Sequence, residues 1–123
     1  LGPGSLIWGI PAKGSGIMFF GLRQYKTKPG QRKSWVAFME EVIIPFQVSQ
    51  GMVVSGSFVG QEDEDLYVWI RRFESEGERE RLYKAVYESD TWENEIGPKI
   101  PDMLDRDATV VTRIEATPKS VIR

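Results

Sequence analysis

Leu66-Tyr67-Val68-Trp69-Ile70-Arg71-Arg72-Phe73 alternates between two kinds of side chain. In an extended chain Leu66, Val68 and Ile70 fall on one side and Tyr67, Trp69, Arg71 and Phe73 on the other. A run this rich in β-branched and aromatic residues reads as a strand. Before it, residues 60–65 form a polar acidic turn and residues 51–59 are again rich in strand formers, so the two runs pair as an antiparallel hairpin. After it, Ser75 and Glu78 have the spacing of a capping box, and Leu82, Ala85, Val86 and Ser89 continue one face of a helix. Asp90 and Glu93 repeat the capping spacing around Trp92. That predicts a kink or a second short helix, interrupted by Gly97-Pro98 and Ile100-Pro101.

Further out, residues 19–26 alternate as a strand that Lys28-Pro29-Gly30 stops. From Gln31, the residues Trp35, Phe38, Met39, Val42 and Phe46 form one stripe of a helix that is expected to end near Pro45. Its early charges, Arg32 and Lys33, oppose the macrodipole, so tertiary packing must hold it. Residues 107–117 supply a fourth strand with Val110, Val111 and Ile114, and Pro118 bars its continuation. The order β-α-β-β-α-β is ferredoxin-like, an α+β fold with a four-stranded antiparallel sheet and its helices on one face. On the first strand Phe20 and Leu22 share a side against Gly21, Arg23 and Tyr25. The aliphatic side is expected under the helices and the side bearing aromatics and arginines to stay open. Two open faces would then pack as an eight-stranded barrel across a two-fold axis, making a homodimer.

The 123 residues include no cysteine and no histidine, which excludes thiolate nucleophiles, Cys/His zinc sites, iron–sulfur clusters and imidazole acid–base chemistry. Sixteen basic and eighteen acidic side chains give a net charge of −2, so no pull toward nucleic acid or anionic lipid is expected. No apolar run is long enough to span a membrane, and a cytoplasmic protein is expected. Residues 1–17 read as an N-terminal extension, partly vector-derived, residues 18–117 as one domain and residues 118–123 as a tail. Within the extension, the apolar residues 6–10 would pair with a sheet edge or a neighbouring subunit.

Phe20-Gly21-Leu22-Arg23-Gln24-Tyr25-Lys26-Thr27-Lys28-Pro29-Gly30 resembles the opening strand of NIPSNAP domains, which typically read Glu-Leu-Arg-x-Tyr-x-x-x-Pro-Gly. Residues 66–81, ending Phe-Glu-Ser-Glu-Gly-Glu-Arg-Glu-Arg, resemble that family's hydrophobic strand, its turn and its Glu/Arg-rich helix. Asp90-Thr91-Trp92 stands where members often have a helix start with tryptophan. The likeness covers residues 18–116. It implies a dimeric α/β-barrel fold, the superfamily that also holds cofactor-independent monooxygenases, small-molecule isomerases and haem-handling enzymes. It implies little about reaction, since most members have no assigned activity and one fold hosts many chemistries. The chain departs from the family pattern at Gly21, where a glutamate is usual, and at Trp69, where many members carry histidine.

Two groups of side chains are candidates for a ligand site. Arg23, Tyr25, Trp69 and Arg71 share one sheet face, where arginine would hold an anionic or carbonyl group and the aromatics a ring. The competing expectation is that these side chains only fill a dimer interface. Trp35, Phe38 and Trp92, with Met103, would line an apolar cavity between sheet and helices, or simply be core. Without imidazole a general base would be a carboxylate with a raised pKa or Tyr25 with a lowered one. Glu40 and Glu41 read as solvated. Glu62-Asp63-Glu64-Asp65 lacks the spacing of a calcium loop, and Gly56 and Gly60 lack that of a phosphate loop, so neither a metal nor a cofactor is expected. The expected function is binding of a small apolar or aromatic molecule. The alternatives are a non-enzymatic assembly module, and an enzyme catalysing cofactor-independent oxygenation or isomerisation.

Overall fold

Residues 17–123 are described by a computed structural model, and the expectation for residues 6–10 lies outside them. The elements run β1 (Phe19–Thr27), α1 (Arg32–Phe38), a π-helical turn (Met39–Ile43), α2 (Ile44–Ser49), β2 (Val53–Val59), β3 (Leu66–Phe73) and α3 (Glu76–Tyr87). A second π-helical turn (Trp92–Ile96), a 3-10 helix (Gly97–Asp102) and β4 (Leu104–Ile114) follow. All pairings are antiparallel in the order β2-β3-β1-β4, so β3 and β1 make the centre of the sheet and β2 and β4 its edges. This is the ferredoxin-like α+β arrangement expected from the element order.

The residue parity of the strands is as expected, but the buried side is the opposite one. Tyr67, Trp69, Arg71 and Phe73 are buried along β3, whereas Leu66, Val68 and Ile70 are only half-buried. Trp35, Met39 and Ile43 from the first helix pack with Tyr25, Tyr67 and Trp69, so the aromatic face lies under the helices. Size explains the inversion. An aromatic side chain buries about 150–250 Å², more than a valine or leucine, so the face with four large rings gains more by leaving water. The open face is therefore the one with the smaller apolar side chains, and on it Phe58, Val110 and Ile114 are respectively 50%, 51% and 39% exposed. Phe20 lies on the same side yet is 3% exposed, because residues 115–122 fold back beside it.

The first helix does not end at Pro45. It continues to Ser49, with Pro45 in the first turn of α2, just after the π-helical turn. Proline lacks an N–H and its ring crowds the carbonyl four residues back, and a widened turn ahead of it relieves both. The buried stripe accordingly becomes Trp35, Met39, Ile43 and Gln47, while Val42 is 37% exposed. Ser75 caps α3 as expected, accepting from the Glu78 N–H at 3.1 Å, but the Glu78 carboxylate accepts from the Glu74 N–H at 2.9 Å, one residue before the Ser75 N–H that a reciprocal capping box would use. At the next turn the capping hydroxyl belongs to Ser89, which accepts from the Trp92 N–H at 3.1 Å, rather than to Asp90. The fourth strand begins and ends about one helical turn's worth of residues earlier than expected, at Leu104 and Ile114. A register shift between Gln24 and Lys26 lets its start pair at Leu104. Among the described residues no helix is long and apolar enough to cross a membrane.

Candidate functional site

Between the sheet and the helices lies a cavity of about 390 Å³. Three strands, β1, β3 and β4, and five helical segments build it, with Arg106 and Thr109 coming from β4. β1 contributes Arg23 and Tyr25, adjacent members of its helix-facing side. β3 contributes Trp69, opposite Arg23 in the register. Trp35 comes from α1, Trp92 from the second π-helical turn, and Tyr83 and Tyr87 from α3. The cavity thus joins the two groups of residues that sequence alone kept apart.

Tyr25 is the hinge of the sheet wall. Its hydroxyl accepts from Arg23 Nε at 2.8 Å and from Trp69 Nε1 at 3.0 Å. Its ring meets Trp35 edge-on at 5.9 Å between centroids and stacks with Tyr67 at 6.2 Å. Such contacts lock the ring between sheet and helix. Burial pulls the Arg23 pKa down, but Tyr25, Tyr83 and Tyr87 raise it by more, and the net shift is upward.

Arg71 does not line the cavity but stands behind it, 1% exposed. Its Nη1 donates to Gln47 Oε1 and to the Tyr87 hydroxyl, both at 2.9 Å, and its Nη2 to the Tyr83 hydroxyl at 2.8 Å. The guanidinium carbon lies 4.5 Å from the Trp69 ring centroid and 5.1 Å from that of Tyr83. A buried cation needs such compensation, and here neutral oxygens and ring faces supply it. Among the described residues neither Arg71 nor Arg23 has an ion-pair partner. Phe38 is also a second layer: half-buried, it packs on Trp35 at 6.2 Å, with the Lys99 ammonium 6.0 Å from its ring centroid. Met103 packs on the same core without lining the cavity.

Sequence reasoning missed Tyr83, Tyr87, Gln47 and Arg106. The signal for the tyrosines was present, a pair at i and i+4 beside the Leu82 and Val86 stripe, which makes one side of α3 aromatic. Gln47 carried no signal, because it becomes buried only through the phase change at the π-helical turn. Burial pushes the Tyr87 phenol pKa up, against the nearby Arg71 charge. Among the described residues no cluster of acidic side chains is placed to hold a metal ion.

No family model and no curated protein matches the chain. Solved structures do. A NIPSNAP family protein of unknown function from Agrobacterium tumefaciens superposes with a TM-score of 0.78 at 21% identity, over 88% of this chain and 96% of its own. A second Agrobacterium tumefaciens NIPSNAP family protein gives 0.76 at 17% identity, over 87% and 92%. A NIPSNAP-like domain protein from Burkholderia xenovorans gives 0.76 at 17%, over 85% and 90%. Nearly whole chains superpose on nearly whole chains, and the fold of this protein is the fold of the NIPSNAP proteins of known structure.

Proposed function

We propose that this chain is a NIPSNAP-family protein that binds a small apolar or aromatic molecule in the cavity between sheet and helices, and acts in the cytoplasm as a homodimer joined through its open sheet face. The observation that carries the ligand is the cavity of about 390 Å³, walled by Trp35, Trp69 and Trp92 and carrying polar groups at Arg23 and Tyr25. Ligand sites commonly have about 300–1,000 Å³, mostly apolar walls and a few convergent polar groups. No carboxylate lines this one, and the chain has no imidazole. The wall therefore offers proton donors rather than a general base, which favours binding over catalysis.

Native mass spectrometry of the purified protein is expected to show a retained small molecule. A panel of quinones, neutral aromatics and aromatic acids is expected to contain members that raise Tm by more than about 2 °C. Ile43→Trp, which fills the cavity, should abolish the shift. A panel that leaves Tm unmoved, with no retained molecule, would sink the ligand.

The apolar open face supports the dimer, and it also favours a second reading in which assembly is the whole function. That reading predicts that Ile43→Trp leaves function and oligomeric state intact, whereas a charge on the open face destroys both.

A further inference from the structure

The polar lining of the cavity donates hydrogen bonds and scarcely accepts them. A phenol oxygen has one proton and two acceptor positions. On Tyr25 both acceptor positions are filled, by Arg23 Nε and Trp69 Nε1. On Tyr87 both are filled as well, by Arg71 Nη1 at 2.9 Å and Gln47 Nε2 at 3.1 Å. What these hydroxyls have left to offer is the proton. Neither proton, nor that of Tyr83, has an acceptor among the described residues, and all three side chains line the cavity. Trp35 also lines it, and its indole N–H is buried without an acceptor.

Charge follows the same pattern. Arg23 and Arg106 line the cavity, Arg71 stands behind Tyr83 and Tyr87, and among the described residues no carboxylate lines the cavity or pairs with these three. Gly21, directly across the sheet from Arg71, brings no side chain that would compensate. Among the described lining residues the side-chain acceptors left are the Thr109 hydroxyl and the second acceptor position of Tyr83, whose first takes Arg71 Nη2. An occupant with N–H or O–H groups at its polar end would find few acceptors for them. An amine would in addition bring charge of the wrong sign, and each mismatch of this kind is costly wherever binding takes the group out of water.

We infer that the cavity takes aromatic or apolar carboxylates, whose oxygens accept from Arg23 and from the phenol protons of Tyr25 and Tyr87 while the ring or chain lies among Trp35, Trp69 and Trp92. Charge-assisted bonds to guanidinium and phenol hold the head, and apolar burial holds the body. This inference rests on the reading of the cavity as a ligand site and narrows its ligand class.

Calorimetric titration of the full chain at pH 7 with 2-naphthoate and with its neutral isostere 2-naphthamide tests it. The acid is expected to bind at least about tenfold tighter than the amide, the equivalent of one good charge-assisted bond. Arg23→Gln should erase that preference, and Tyr25→Phe should reduce it severalfold. Arg106→Gln, at an exposed position where folding is not at stake, should weaken naphthoate while sparing naphthamide. Equal or tighter binding of the amide overturns the carboxylate and leaves the ligand cavity standing. If neither naphthalene probe binds but neutral quinones raise Tm, the carboxylate is again overturned alone. If no molecule of either kind binds, both fall together.

Discussion

Arg71 shows how one buried side chain can tie together residues from three elements. It is nearly sealed from water, its charge is met by Gln47, Tyr83 and Tyr87, and its plane lies against Trp69. Arg71→Ala would remove a large buried side chain and also strip donors from the buried Gln47 Oε1 and the partly buried Tyr83 and Tyr87 hydroxyls. A loss of about 4 kcal/mol in urea unfolding is expected, from the cavity and the unpaired oxygens together. Arg71→Met, which restores most of the volume, should recover part of that loss. A change below about 1 kcal/mol for the alanine variant would show that the guanidinium does not organise these side chains. At this scale the sequence was legible in part. Alternation along β1 and β3 sorted Arg23, Tyr25, Trp69 and Arg71 onto one face. It could not say that this face turns inward, because a guanidinium argues for water until the phenols that satisfy it are brought from α3.

The elements are held by local devices that differ in visibility. At the start of α3, Arg79 donates to both carboxylate oxygens of Glu76, with Nη2 at 2.6 Å, and Arg113 of β4 reaches the same group at 2.6 Å. Hydrogen bonding from Arg79, reinforced by Arg113, holds the Glu76 carboxyl down at about 2 from the ordinary 4.5. The folded value is depressed, so the contribution to stability is present above about pH 4.5 and is lost as pH falls toward 2. Glu76→Gln is expected to cost roughly 1 kcal/mol at pH 7, and its Tm gap to the parent should close across that acidic window. A gap independent of pH would mean that pairing of the Glu76 charge with Arg79 and Arg113 contributes nothing.

The Ser75 cap on this helix was readable from spacing, since its partners lie within four residues. The course of the first helix was not. Pro45 signals a break, yet the packing of Trp35, Met39, Ile43 and Gln47 keeps the chain helical through a π-helical turn. Local propensity is overridden there by apolar burial.

On the whole molecule the open sheet face is the feature that asks for a partner. Val68, Ile70 and Leu22 at its centre are half-buried, and Phe58, Val110 and Ile114 around them are exposed. Gly56 leaves the space across which the Phe58 ring lies, since a Cβ there would stand 2.5 Å from it. Contiguous apolar surface of this kind is uncommon on a monomer. Phe58→Glu and Val110→Glu should convert a dimer to a monomer by light scattering at micromolar concentration, with the fold retained because neither side chain is in the core. A parent protein that is already monomeric would remove the dimer, and with it the barrel.

Element order, strand parity, the helix cap and the absence of imidazole and thiol chemistry were determined by the sequence alone, because each depends on residues close together in the chain or on composition. Tertiary structure decided which face of the sheet is buried, how far the first helix runs, and that Tyr83, Tyr87 and Gln47 meet Arg71 behind one cavity. Those outcomes depend on which surfaces gain most by leaving water together. That competition is settled between elements distant in sequence, where spacing along the chain carries no information.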